Sequence, residues 1–268
     1  MINLRNDGRT YDQVRPLKIS FDVFGHANAS ALFEFGGTKV LVGVTLQNRV
    51  PMFMKGRGVG WLSAEYAMLP ISTKDRTNRE SRQTRPNSRS LEISRLIGRS
   101  LRSVVDLSSI GERTIVIDCD VLQADGGTRC ACISAASLCL KVAVDRWLKS
   151  GIIEKDIIND DIAAVSVGMV GGHACLDISQ DEDNNAEADF NFVLSKSGNI
   201  IEIQGTSEKA PMSWENFGEL KRLALLGVEQ IFKACEAAGI PEHKLPEYKV
   251  AERSSKRAKP LFSLGNRL

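Results

Sequence analysis

The sequence is short of the residues that most often perform chemistry. Its three histidines, His26, His173 and His243, are scattered along 268 residues, which argues against a histidine-based metal centre or catalytic triad. The six cysteines (Cys119, Cys130, Cys132, Cys139, Cys175 and Cys235) include no C-x-x-C pair. Most lie inside apolar runs, so they read as buried thiols of a reducing cytoplasm rather than as disulfides or a metal cluster. No apolar run approaches the roughly 20 residues that a membrane-spanning helix needs. The N-terminal MINLRNDGRTYDQVRP has no apolar stretch and is studded with charge, so a secretory signal is not expected. A Walker A loop, an EF-hand and a residue-level repeat are also missing.

What is present is ordinary in amount and uneven in placement. With 43% hydrophobic and 25% charged residues the chain is globular in composition, and its net charge of +2 is almost neutral. Strand patterns appear at Lys39–Leu46, Arg113–Gln123, Ile162–Val170, His173–Ile178, Asp189–Leu194 and Ile200–Gln204. Gly171-Gly172 is a hairpin signal between the third and fourth of these. Helices are predicted over Ser90–Val105, Arg129–Ser150 and Trp214–Ala238, the last with Ser213 as N-cap and Gly239 beyond its end. Strands followed by helices in both halves point to an α+β fold of mixed sheets packed with helices, and raise the expectation of two related units. We expect one domain over residues 1–240 and a flexible basic tail over 241–268, where Ala251–Leu268 carries five basic residues and one acid.

Three segments can carry chemistry. In Gln123–Cys130 (QADGGTRC) a strand ends, two glycines follow and a long helix begins. Bare main-chain N–H groups, a helix N-terminus, the Thr128 hydroxyl and the Arg129 guanidinium together suit a phosphate; the alternative is a plain strand–turn–helix link. Lys74–Arg102 contains nine lysines and arginines against three acids. It suits an RNA backbone, a solvated loop or a subunit-contact arm, and Arg89, just ahead of an amphipathic helix, is its best candidate for an active-site position. Asp177–Asp189 (DISQDEDNNAEAD) has five further acids after Asp177. It can hold Mg²⁺ through oxygen ligands, protonate a leaving oxygen, or be a solvated acidic loop. An anion cradle, a basic track and paired carboxylates suit phosphoryl transfer, with the attacker, water or phosphate, left open.

Taken together, RNDGR (5–9), SAEYAMLP (63–70), TNRES (77–81), EISRLIGRSLR (92–102), GERTIVIDCDVLQADGGTR (111–129), AAVSVG (163–168), the ED…AEADFN segment (182–191) and EIQGT (202–206) resemble the ribonuclease PH family over about residues 5–238. The resemblance implies one compact domain of two βαβ-type units and a phosphorolytic 3′→5′ exoribonuclease. Its substrates would be the 3′ ends of tRNA precursors, with rRNA as a further substrate, and inorganic phosphate. It implies a phosphate site at Arg89, Gly127, Thr128 and Arg129, and catalytic, Mg²⁺-holding acids at Asp183 and Asp189. It also implies tRNA contact through Arg76 and Arg79, and assembly as a homo-hexamer, a trimer of dimers. Ser88, Ser90, Leu91 and Asn184-Asn185 depart from the family pattern without removing any of these residues. The rival readings are a catalytically silent RNA-binding subunit of an exosome-like ring and a two-metal hydrolytic nuclease, which would want more converging carboxylates.

Overall fold

The computed structural model describes residues 5–79 and 87–241. Its first sheet starts with an antiparallel meander of β1 (Leu17–Phe21), β2 (Ala29–Phe35) and β3 (Thr38–Gln47). Next come β4 (Trp61–Met68), α1 (Ser88–Arg102) and β5 (Thr114–Gln123), with β5 antiparallel to β3 and parallel to β4. The spatial order is β1-β2-β3-β5-β4. After α2 (Thr128–Lys149) the second sheet forms from β6 (Ile162–Val170), β7 (His173–Leu176), β8 (Ala188–Ser195) and β9 (Ile200–Ser207). Its order is β7-β6-β8-β9, every neighbouring pair antiparallel. The four-residue α3 (Gln180–Asp183) lies between β7 and β8, and α4 (Trp214–Ala238) ends the described chain.

Sequence causes are visible in each layer. In β5 the alternation buries Ile115, Ile117, Cys119 and Val121 and turns Asp118 and Asp120 outward, as period two requires. In α1, Ile93, Leu96, Ile97 and Leu101 recur at helical spacing and dock on β4. The β6–β7 hairpin turns through Gly171 and Gly172, both with positive φ, so the dipeptide acts as the expected turn. Helix α2 is apolar nearly all round and is sandwiched, packing on β2 and β3 on one side and β6 on the other. Each large aliphatic side chain so enclosed contributes about 1.5–3 kcal/mol. One core therefore runs through both sheets, from Val40 and Ile117 through Ala135 to Phe192 and Leu223.

The α+β class is as expected, but only the first sheet is mixed, the second being antiparallel throughout, and the two units differ in detail. In the first, β4–α1–β5 joins adjacent parallel strands. In the second, β7 and β8 run the same way but straddle β6, with only α3 between them in sequence. All six cysteines are unpaired thiols, five of them buried. Among the described residues no helix is long and apolar enough to cross a membrane. Arg82, Arg85 and all of the basic tail after Pro241 lie outside the described residues.

Candidate active site

A cleft of about 900 Å³ opens where the N-terminus of α2 meets the second sheet. Arg89, Gly127, Thr128, Arg129, Asp183 and Asp189, all singled out from the sequence, line it. The first four come from the first half of the chain and the two acids from the second.

The cationic wall is built by the turn between β5 and α2. Gly126 and Gly127 both have positive φ, and Gly127 begins the helix without any side-chain cap. The first-turn N–H groups of α2 are thus left for an external acceptor, where the helix dipole also favours negative charge. The Thr128 hydroxyl is held at 3.1 Å by the hydroxyl of buried Tyr66 on β4, whose own ionisation burial pushes well up. Arg129 is braced from behind: its Nη1 donates to Gln204 Oε1 at 2.8 Å and lies 3.7 Å from Glu92. Arg89 sits in the first turn of α1, which Asn87 caps by accepting the Arg89 N–H at 3.0 Å. Its side chain is exposed and makes no hydrogen bond among the described residues.

The acidic wall faces it. Asp183 closes α3, and Asp189 and Asn191 project from β8 into the cleft, the alternation expected of that strand. The cleft walls desolvate Asp183 and raise its pKa against the pull of Arg89 and Arg129, with Glu208 adding to the rise. Asp189 is raised first by desolvation and then by Asp183 and Glu208. Helix α3 is pinned through Glu182, which Arg5 grips with Nε at 2.6 Å and which accepts the Ser179 N–H at 2.8 Å. Gly126 lets the two walls meet, because a Cβ there would lie 2.7 Å from the Ile178 carbonyl oxygen and 2.8 Å from the Gln180 nitrogen. The glycine of the β5–α2 turn thus sets the distance to the acids.

Arg76 and Arg79 are exposed on the loop after β4 and do not line the cleft, although Thr73 and Thr77 of that loop do. The cleft also takes in Asn191, Gln204 and Glu208, for which no role of their own was expected. Neither of the described histidines, His26 and His173, lines it. Among the described residues no group of three or more His, Cys, Asp or Glu side chains is arranged to hold a metal. Two carboxylates in mutual repulsion nevertheless fit Mg²⁺, which commonly takes one or two carboxylates and fills its shell with water and substrate oxygens.

Two models of the 3′ exoribonuclease family match the chain, domain 1 over residues 13–144 and domain 2 over residues 160–238. The chain is 45% identical to Ribonuclease PH of Bacillus velezensis over 248 residues, 92% of this chain and all of the relative. Ribonuclease PH of Bacillus subtilis is 44% identical over the same shares. In fold it is similar to rice Rrp46 (TM-score 0.70, 18% identity, covering 87% of this chain and 99% of that one). It is also similar to an Archaeoglobus fulgidus exosome structure with RNA bound to the active site (TM-score 0.71, 22% identity, 87% and 92%). The chain therefore belongs to the 3′ exoribonuclease family, in its ribonuclease PH group, and is a phosphate-dependent exoribonuclease and nucleotidyltransferase. Its relatives of exosome type stand much further off in sequence.

Proposed function

We propose that the cleft binds inorganic phosphate against its cationic wall and the 3′ end of a tRNA precursor, or of rRNA, against its acidic wall. The observation that carries this is the convergence, from opposite halves of the chain, of an uncapped helix start and a carboxylate pair in one cleft. Phosphate accepts from the N–H of Gly127 and its neighbours, from Thr128, and from the guanidinium groups of Arg129 and Arg89. One of its oxygens attacks the phosphorus of the terminal phosphodiester in line, a P–O–P linkage forms, and the bond to the 3′-oxygen breaks. The products are a nucleoside 5′-diphosphate and RNA one nucleotide shorter. Exchanging a phosphodiester for a phosphoanhydride is reversible, so excess nucleoside diphosphate drives nucleotide addition.

Asp183 and Asp189 would hold Mg²⁺, which supplies charge neutralisation at the reacting phosphoryl oxygens. Their raised pKa also suits the second task open to them, delivery of a proton to the departing 3′-oxygen. Exposed Arg76 and Arg79 contact tRNA beyond its last nucleotide. Exposed Met52 and Phe53, and Ile200 and Ile203 on the outer strand β9, support burial by further copies in a homo-hexamer, a trimer of dimers. Unpaired thiols support action in the cytoplasm. The test is incubation of a 3′-extended tRNA with Mg²⁺, with and without phosphate. Nucleoside diphosphates released only with phosphate support the reading; monophosphates released at full rate without it would refute it.

A further inference from the structure

We propose that Arg15, which lies outside the cleft, is a positioning residue that aims the N–H groups of the Gly126–Gly127 turn at the bound phosphate. The inference rests on the reading that this turn takes phosphate. Arg15 is buried beneath the turn, where its guanidinium donates to the carbonyl oxygen of Asp125 and, at 3.4 Å, to that of Gly126. The Thr38 hydroxyl donates to the same Gly126 carbonyl at 2.7 Å and accepts the Asp125 N–H at 3.0 Å. In a planar trans peptide the C=O and N–H point in opposite directions. Holding the Asp125 carbonyl on Arg15 therefore turns the Gly126 N–H the other way. Holding the Gly126 carbonyl does the same for Gly127. Both glycines line the cleft, and no backbone hydrogen bond among the described residues uses either N–H. Two successive open donors of this kind form a concave anion seat.

Arg15 is itself fixed from the far side. Its Nε and Nη2 reach the two oxygens of Asp177 at 2.9 and 2.7 Å, and its backbone N–H adds a bond of 2.7 Å to the same carboxylate. Arg9 contributes another at 3.3 Å. Burial opposes the charge of Arg15, and Asp177 more than offsets it, so the guanidinium stays firmly cationic. Asp177 directly precedes the Ile178–Gln180 segment that touches Gly126 and leads into Asp183. One guanidinium thus ties the phosphate turn to the segment carrying an acid. The β2–β3 turn makes room for it: a Cβ on Gly36 would come within 2.4 Å of Arg15 Cδ, and one on Gly37 within 2.4 Å of Asp125 Oδ2.

A purely structural ion pair and a positioning residue differ in what they change. Loss of the former lowers Tm and the amount of active enzyme; loss of the latter weakens phosphate binding selectively. The full-length enzyme, Thr38→Val and Arg15→Lys are compared for KM of phosphate, KM of RNA, kcat and Tm. Lysine keeps the charge beside Asp177 but cannot fork to a carboxylate and two carbonyls at once. We expect the KM of phosphate to rise about tenfold in Thr38→Val and further in Arg15→Lys, with the KM of RNA within about twofold of the parent. A phosphate KM within about twofold of the parent, or one rising in step with the RNA KM, would overturn the role. Thr38→Val exchanges a hydroxyl for a methyl and tests the hold on the same Gly126 carbonyl, and Arg15→Gln, which removes the fork without adding bulk, decides the matter if Arg15→Lys fails to fold. A parent enzyme indifferent to phosphate would instead overturn the phosphate reading, and the role of Arg15 with it.

Discussion

Helices α2 and α4 are the two longest among the described residues, and they begin in opposite ways. Helix α4 closes its own start: Ser213 accepts the Asn216 N–H at 3.1 Å. Helix α2 begins at a left-handed glycine with no side chain to cap it. Lacking a side-chain cap, a glycine start costs only about a few tenths of a kcal/mol relative to a hydroxyl or carboxamide cap. It is retained where the missing acceptor can come from a ligand, and the surrounding geometry says which kind. The α2 start faces two arginines and a hydroxyl across from carboxylates, whereas the α4 start is exposed and serves only the helix. The difference separates a helix end built for folding from one left open for chemistry.

The contrast can be broken by giving α2 a cap of its own. Gly127→Asp places a carboxylate where phosphate would sit, at a φ of 64° that a side chain tolerates poorly. Steady-state assays should show activity falling on the order of 10²–10³-fold. Removing a ligand from the open start is milder: Arg89→Ala should raise the KM of phosphate about ten- to a hundredfold while leaving the protein folded. The opposite wall can be probed with pH. Asp183 and Asp189 both have raised pKa values, so they release their protons above the ordinary 3.8, and protons compete there with Mg²⁺. The half-saturating Mg²⁺ concentration should therefore fall severalfold as pH rises through the acid range (an about tenfold change per pH unit is the limit for one competing proton). If proton donation dominated, kcat would instead fall as pH rises. A carboxylate whose folded pKa is raised also costs stability once ionised, so Asp189→Asn should abolish activity without lowering Tm. The smallest effect is expected at the closed start, where Ser213→Ala should lose about 1 kcal/mol, a Tm drop of about 2–4 °C, with unchanged kinetics.

Much of this was legible in the chain because the patterns were local. The run of QADGGTRC announces its strand end, turn and helix start within eight letters, and α2, α4 and β6 fall within a residue of their expected bounds. The strands β1, β2 and β4 were less visible. In β2 and β4 the buried face mixes Ala29, Ala31 and Ala64 with larger residues, which blurs the alternation, and β1 is an edge strand with no fully buried residue. Arg15 and Asp177 were hidden for a different reason. Their partnership spans 162 positions and is made by the docking of two sheets, which no short window reveals. The N-terminal charges spoke only against a secretory signal, and nothing local to them announces that Arg5, Arg9 and Arg15 are all buried.

The division of the cleft between the two halves has a consequence during synthesis. A ribosome delivers the β5–α2 turn first and the carboxylates of α3 and β8 only after β6 has been made. On the proposed roles, a chain that stops before α3 and β8 lacks the acids that would hold Mg²⁺, so the nuclease stays harmless to nearby RNA until its second sheet is made. A chain ending at Gly151, offered labelled RNA and phosphate, should release no nucleotide.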